Sequence, residues 1–205
     1  MAVTQALDIS HLTFLDLIRA VIAQSGAVPA KGTLIRMALK VADQFTPVDF
    51  ATVDDFVAAI EGNENPISTI EGHAVHLGGG VFGLPKCPFR ELVADYKSVF
   101  GNLPEGYAEL MEVYNKGSQI TDQLKIGEGA GVSPFCLMHQ PMRSALGGKI
   151  TIGGKPITVY QLGCKSGGGE KAIAEKWVAE AGADWALVEQ ALDANMCCYA
   201  VKMQT

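Results

Sequence analysis

The spacing of apolar and polar residues divides the chain into a helical first third and a mixed remainder. Between residues 10 and 25, Leu12, Leu15, Ile18 and Ile22 recur at the interval that puts them on one face of a helix. Ser10 is placed to cap its start and Gly26 to stop it. A second helical pattern, Leu34, Met37, Leu39, Val41 and Phe45, follows Pro29 and ends before Pro47. A third starts at Thr52, where Thr52-Val-Asp-Asp55 approximates a capping box, and ends at Gly62. Residues 10–61 are therefore expected to be helical, with no strand.

Beyond the turn Gly62-Asn-Glu-Asn-Pro66 the pattern changes. Ile67 to Leu77 reads as a strand, Gly78-Gly79-Gly80 as a tight connection and Val81 to Leu84 as its hairpin partner. Helical stretches follow near Phe89 to Phe100, Pro104 to Gly117 and Gln119 to Ile126, before a loop marked by Gly127, Gly129 and Gly131. Residues 132–138 fit either a strand start or a buried loop, and Met142 to Leu146 fits one helical turn. A second hairpin is clearer: Lys149 to Ile152, a turn Gly153-Gly154-Lys155-Pro156, then Ile157 to Gly163. A helix from Glu170 to Ala181, another capped by Asp184, and an alternating strand from Met196 to Met203 close the chain. Hairpins separated by helices predict an α+β fold. Its sheet is antiparallel or mixed, built from hairpins and a closing strand, and covered by helices on one face. Residues 1–66 form a helical N-terminal layer on an α+β core of residues 67–205, within one domain.

Composition narrows the functions open to such a fold. A chain of 205 residues with 48% apolar content buries roughly 70% of its unfolded surface and holds a core without staples. It has no uncharged apolar run of about 18 residues and no signal-peptide start, so the expected setting is soluble and cytoplasmic, with no membrane partner. The net charge is −6 and the basic residues are scattered, which argues against nucleic acid as a partner. In the helical layer Arg19, Lys31, Arg36 and Lys40 face more numerous acids, among them Asp43, Asp49, Asp54, Asp55 and Glu61. That balance suits a packing or homodimerising layer over residues 10–61 rather than a helix-turn-helix reader.

The chemistry-bearing residues are mostly soft. Five cysteines, Cys87, Cys136, Cys164, Cys197 and Cys198, in a cytosolic-looking chain read as reduced thiols or metal ligands rather than disulfides. Cys136-Leu-Met-His139 sets a thiol and an imidazole where both can close on one ion, zinc or iron. The same residues also read as a core cysteine and a hydrogen-bonded surface histidine. Cys87 lies at a strand-to-helix junction, where a helix dipole favours thiolate, and reads as a ligand, a nucleophile or a buried turn residue. His73 and His76 fall on opposite sides of a regular strand, so at most one belongs to a site. Lys165, Ser166 and Gly167, between a strand and a helix, form an anion-site candidate or a plain turn. Cys197 and Cys198 point to opposite faces of their strand, so only one thiol can look into a pocket. Trp177, Trp185 and Tyr199 suit packing, or the walls of a site for a small apolar or aromatic ligand.

Cys87-Pro-Phe89 at a helix start, a mid-chain Cys136 and the terminal Cys197-Cys198-Tyr-Ala-Val-Lys202 resemble two related families. These are the 4-vinyl reductase type of small-molecule-binding domain and the L-2-amino-thiazoline-4-carboxylate hydrolase-like proteins. The resemblance spans residues 67–205. The first family implies an α+β sensor domain for hydrocarbons or phenols, in some members beside a zinc held by cysteines and a glutamate. The second implies hydrolytic ring opening. The chain departs from the first where a Glu-x-x-Cys precedes the last strand, because Glu189 is followed here by Leu192. Two functions follow as expectations. One is a binding protein, sensor or accessory, whose metal or thiol site draws on Cys87, Cys136, His139 and Cys197. The other is a cysteine-dependent hydrolase in which Cys87 or Cys136 attacks and His139 is the base.

Overall fold

The computed structural model describes residues 9–61, 74–84, 99–102, 105–106, 108–110, 148–164 and 171–205. In chain order the helices are α1 (Ile9–Ser25), α2 (Ala27–Asp43), α3 (Val53–Glu61), α4 (Glu175–Ala181) and α5 (Trp185–Asp193). The strands are β1 (Val48–Phe50), β2 (Val75–Gly78), β3 (Val81–Leu84), β4 (Ile150–Ile152), β5 (Lys155–Cys164), β6 (Ala172–Ile173) and β7 (Cys197–Met203). They form one seven-stranded sheet in the order β1-β4-β5-β7-β3-β2, with β6 added to β5. The β1–β4 pair is parallel and the remaining pairs are antiparallel. The fold is α+β with a mixed sheet, as the hydrophobic pattern predicts.

Local chemistry explains most element ends. Gly26, at φ +82°, turns the chain between α1 and α2. At the start of α3 the Asp55 backbone N–H donates to Thr52 Oγ1 at 3.1 Å, and Asp55 Oδ2 accepts from the Thr52 backbone N–H at 3.0 Å. The capping box therefore closes with aspartate in the place usually taken by glutamate. Gly153 and Gly154 join β4 to β5 with φ of +57° and +73°, the paired left-handed conformations of a two-residue hairpin turn. Asp184 caps α5 by accepting from the Ala186 N–H at 2.9 Å.

Several expectations need correction. Residues 10–61 are not wholly helical, because Val48–Phe50 forms β1 and pairs with β4 in register Val48↔Ile150. Three residues are too few to show a period, and the strand is held by groups distant in sequence. Asp49 Oδ1 accepts from the Thr151 hydroxyl at 2.6 Å and from the Gly154 N–H at 2.9 Å. The helix expected after Pro29 starts at Ala27, since proline in a first turn gives up only an N–H with no intrahelical acceptor. Ala172 and Ile173, expected to be helical, form β6 against Gly163 and Cys164, and α4 begins after them. Lys155 and Pro156 belong to β5 rather than to the turn.

Helices cover both faces of the sheet, not one. Phe56 and Val57 of α3 pack with Phe82, Leu84, Ile157, Tyr199 and Val201 on the first face. Val178 of α4 and Val188, Ala191 and Leu192 of α5 pack with Val81, Leu162, Cys198 and Ala200 on the second. Rings run across the first face: Phe50 and Phe56 meet edge-on at 5.6 Å, Phe56 and Phe82 at 6.3 Å, and Phe82 stacks on Tyr199 at 5.4 Å. Trp185, expected to pack, is 41% exposed. The end of α2 is tied to β4 by Lys149, whose Nζ donates to the carbonyls of Ala42 at 3.0 Å, Asp43 at 2.9 Å and Phe45 at 3.2 Å. A cation there satisfies carbonyls that the helix leaves without partners.

Two predictions follow from these contacts. The hydrogen bond from Thr151, and secondly that from Gly154, lower the pKa of Asp49. Its stabilising effect is therefore complete above the ordinary aspartate value of about 3.9 and is lost as pH falls through the lowered folded value. Asp49→Ala should reduce the melting temperature near pH 7 and have a progressively smaller effect as pH falls below the ordinary aspartate range. Melting curves across that range check it; an equal loss at both ends would refute the assignment. Gly80 has φ +79°, and a Cβ there would lie 2.7 Å from the carbonyl oxygen of Val201. Gly80→Ala should cost about 1–3 kcal/mol, read from denaturant unfolding, whereas Gly79→Ala, with nothing within 4 Å, should cost less.

Candidate functional site

Met196, Cys197 and Cys198 come together at one end of the sheet because of how α5 delivers the chain to β7. The Ala194, Asn195 and Met196 N–H groups bond back to the carbonyls of Gln190, Leu192 and Ala191. Asn195 takes φ +61°, a left-handed conformation that asparagine adopts more readily than most residues. The chain reverses there and enters β7 at Cys197. Gly83 of the adjoining strand has no side chain, and a Cβ on it would fall 2.7 Å from Met196 Sδ. The thioether therefore lies directly against the β3 backbone.

Alternation along β7 sends the two neighbouring cysteines apart, as expected. Cys197 is 7% exposed and packs on the first face, while Cys198 is fully buried on the second. Burial pushes the Cys198 thiol up to about 12, which disfavours the thiolate that attack on a substrate needs. Cys197 lies opposite Leu84, and Cys198 opposite Gly163. The β3 end, the β5 end and the β7 start thus share one edge of the sheet. Leu84 is followed three positions later by Cys87, and β5 ends on Cys164.

Cys87, Cys136, His139, His73 and the segment Lys165, Ser166 and Gly167 lie outside the described residues, and Cys164 is described by its backbone alone. Of the expected ligand set, Cys197 is therefore the member whose surroundings are defined. Among the described residues no three His, Cys, Asp or Glu side chains converge as a metal group, and no helix is long and apolar enough to cross a membrane.

One pairing escapes sequence reading. His76 on β2 faces Asp54 in the first turn of α3, with the ring Nδ1 against Oδ1 of the carboxylate. With the ring neutral and its proton on the nitrogen that faces the carboxylate, Nε2 is an acceptor. Nε2 is buried and has no hydrogen-bond partner among the described residues. An imidazole oriented by a carboxylate with its other nitrogen unused is the arrangement of a metal-ligating histidine or a general base. The two residues stand 22 positions apart, so no local motif announces them. The available signal is the alternation that puts His76, opposite Phe82, on the face that α3 covers.

Compared with protein-family models, curated proteins and solved structures, the chain has no significant match.

His76→Asn keeps an N–H close to the place of Nδ1 and removes Nε2. In ligand-free protein it should preserve the contact with Asp54 and relieve an unpaired buried acceptor, whose cost is about 1–3 kcal/mol. Its melting temperature should equal or exceed that of the wild type, while His76→Leu, which gives up the contact with a carboxylate 77% exposed to solvent, should fall slightly below it. An equal drop in both variants would mean that Nε2 has a partner.

Proposed function

We propose that this protein binds a zinc or iron ion through a Cys/His site drawn from Cys87, Cys136, His139 and Cys197, as a sensor or accessory protein rather than a catalyst. The observation that carries the reading is the register Leu84↔Cys197. A cysteine three residues past Leu84 can have its Cα no more than about 11 Å from that of Leu84, so the chain length allows Cys87 to reach Cys197. Cys136-Leu-Met-His139 supplies a second pair with ligand spacing. Cys198 points to the opposite face of the sheet, which supports Cys197 as the terminal ligand. The resemblance to small-molecule-binding domains of the 4-vinyl reductase type supports a binding role, with Glu189-x-x-Leu192 setting this chain's ligands apart. Scattered thiols in a chain of this composition support a reducing, cytoplasmic setting. The outward apolar residues Leu17, Val28, Met37 and Leu39 of α1 and α2 support self-association through the helical layer.

Metal analysis of full-length protein purified without chelator tests the reading. About one equivalent of metal per chain is expected. Cys136→Ser should lower metal content and melting temperature together, because a structural Zn²⁺ contributes on the order of 10 kcal/mol to the folded state. Metal-free wild-type protein, with melting unchanged by Cys136→Ser, overturns it.

A further inference from the structure

We infer that the groove between α1 and α2 binds a free aliphatic carboxylate, a fatty acid of medium chain length whose tail lies in the groove and whose headgroup is held by Arg36. The site lies outside residues 67–205, and the inference does not depend on the metal reading.

Helices α1 and α2 pack against each other across the Gly26 turn and leave a groove of about 120 Å³ between them. Its floor is Ile18, Ala30 and Leu34, all buried, and its walls include Leu17, Val21 and Met37. Leu17 is 52% exposed and Met37 38%, so the trough opens to solvent along its rim. Thr33 also lines it, but the hydroxyl is already engaged: Oγ1 donates to the Pro29 carbonyl at 3.0 Å and accepts from Arg36 Nη2 at 3.1 Å. The groove therefore offers an occupant no hydrogen bond of its own, which disfavours a polar ligand and suits a run of methylenes. Ala30 and Met37 both line it, and their separation along the helix axis is about 10 Å, a length that fits a chain better than a single ring.

A cation stands at the rim. The bond to Thr33 draws the Arg36 guanidinium to the edge of the groove, where it lies back over Gly32; a Cβ on that glycine would come within 3.7 Å of Nη1. Among the described residues no carboxylate pairs with Arg36, whereas Arg19 of α1 is paired with Asp16 at 3.5 Å. The remaining N–H donors of a guanidinium form a planar fork that matches a carboxylate. Tail and headgroup are thus recognised by adjoining parts of one site. The net charge of −6 disfavours the surface of an anionic membrane as the source of the chain, so the free acid is the occupant. Val28 and Leu39, also exposed, lie on the other side of α2, because each residue advances about 100° around the axis. Self-association through those two residues leaves the groove accessible.

Calorimetric titration of the full-length protein with the saturated acids from pentanoate to nonanoate tests the site. About one acid per chain should bind, with affinity rising about fourfold for each added methylene until the groove is filled and level beyond that. Arg36→Gln should weaken the acids by about two- to fivefold, the range of an exposed ion pair, and leave the matching alcohols unchanged. Met37→Ala, at a position open to solvent, should weaken acids and alcohols alike, and Val28→Ala should change neither. Absence of binding, affinity that does not rise with chain length, or an equal loss for acid and alcohol in Arg36→Gln overturns the inference. So does heat seen only with vesicles of anionic phospholipid. Acid binding that survives both Met37→Ala and the groove-filling Val21→Phe, in variants whose circular dichroism matches the wild type, also overturns it, because the acid then sits elsewhere.

Discussion

Strand β7 has to satisfy two apolar faces at once, and most of the structure is arranged around that demand. Its first five residues are buried, with Cys197, Tyr199 and Val201 facing α3 and Cys198 and Ala200 facing α4 and α5. A strand lined on both sides tolerates no slip, because a shift by one residue would exchange every side chain between the two cores. Its neighbours β3 and β5 are pinned from either flank. Sharp glycine turns and the left-handed Asn195 then follow as ways of feeding the chain into a fixed register.

What could be read from the sequence was whatever repeats locally. Ile18 and Ile22 mark α1, the Thr52–Asp55 box marks α3, Asp184 marks α5, and the Gly153-Gly154 turn marks the second hairpin. Each of these signals lies within about one turn of its own element. The opposite orientation of Cys197 and Cys198 follows from the two-residue period of a strand alone. By contrast, β1 and β6 have three and two residues, too short for any period. They exist because Asp49 finds Thr151, and because Ala172 finds the end of β5.

The candidate chemistry divides in the same way. A spacing such as that of Cys136 and His139 is visible as a string, whereas the pairing of Asp54 with His76 arises only when α3 is laid across β2. The pairing of Gly163 with Cys198 depends on one irregular step in a ladder, which no composition or motif encodes.

The parallel pairing of β1 with β4 shapes how the molecule is assembled. Asp49 and Thr151 are 102 residues apart, and closing so long a loop costs entropy before its contacts give anything back. Hairpins such as β4–β5 close through two residues and form on the microsecond scale. The pairing of β3 with β7 joins residues still farther apart, Val81 and Ala200 among them, so the sheet is completed only when the last strand is made. Until then the apolar face of α3 has no β5 or β7 to cover it, the stage at which a folding helper has the most to shield.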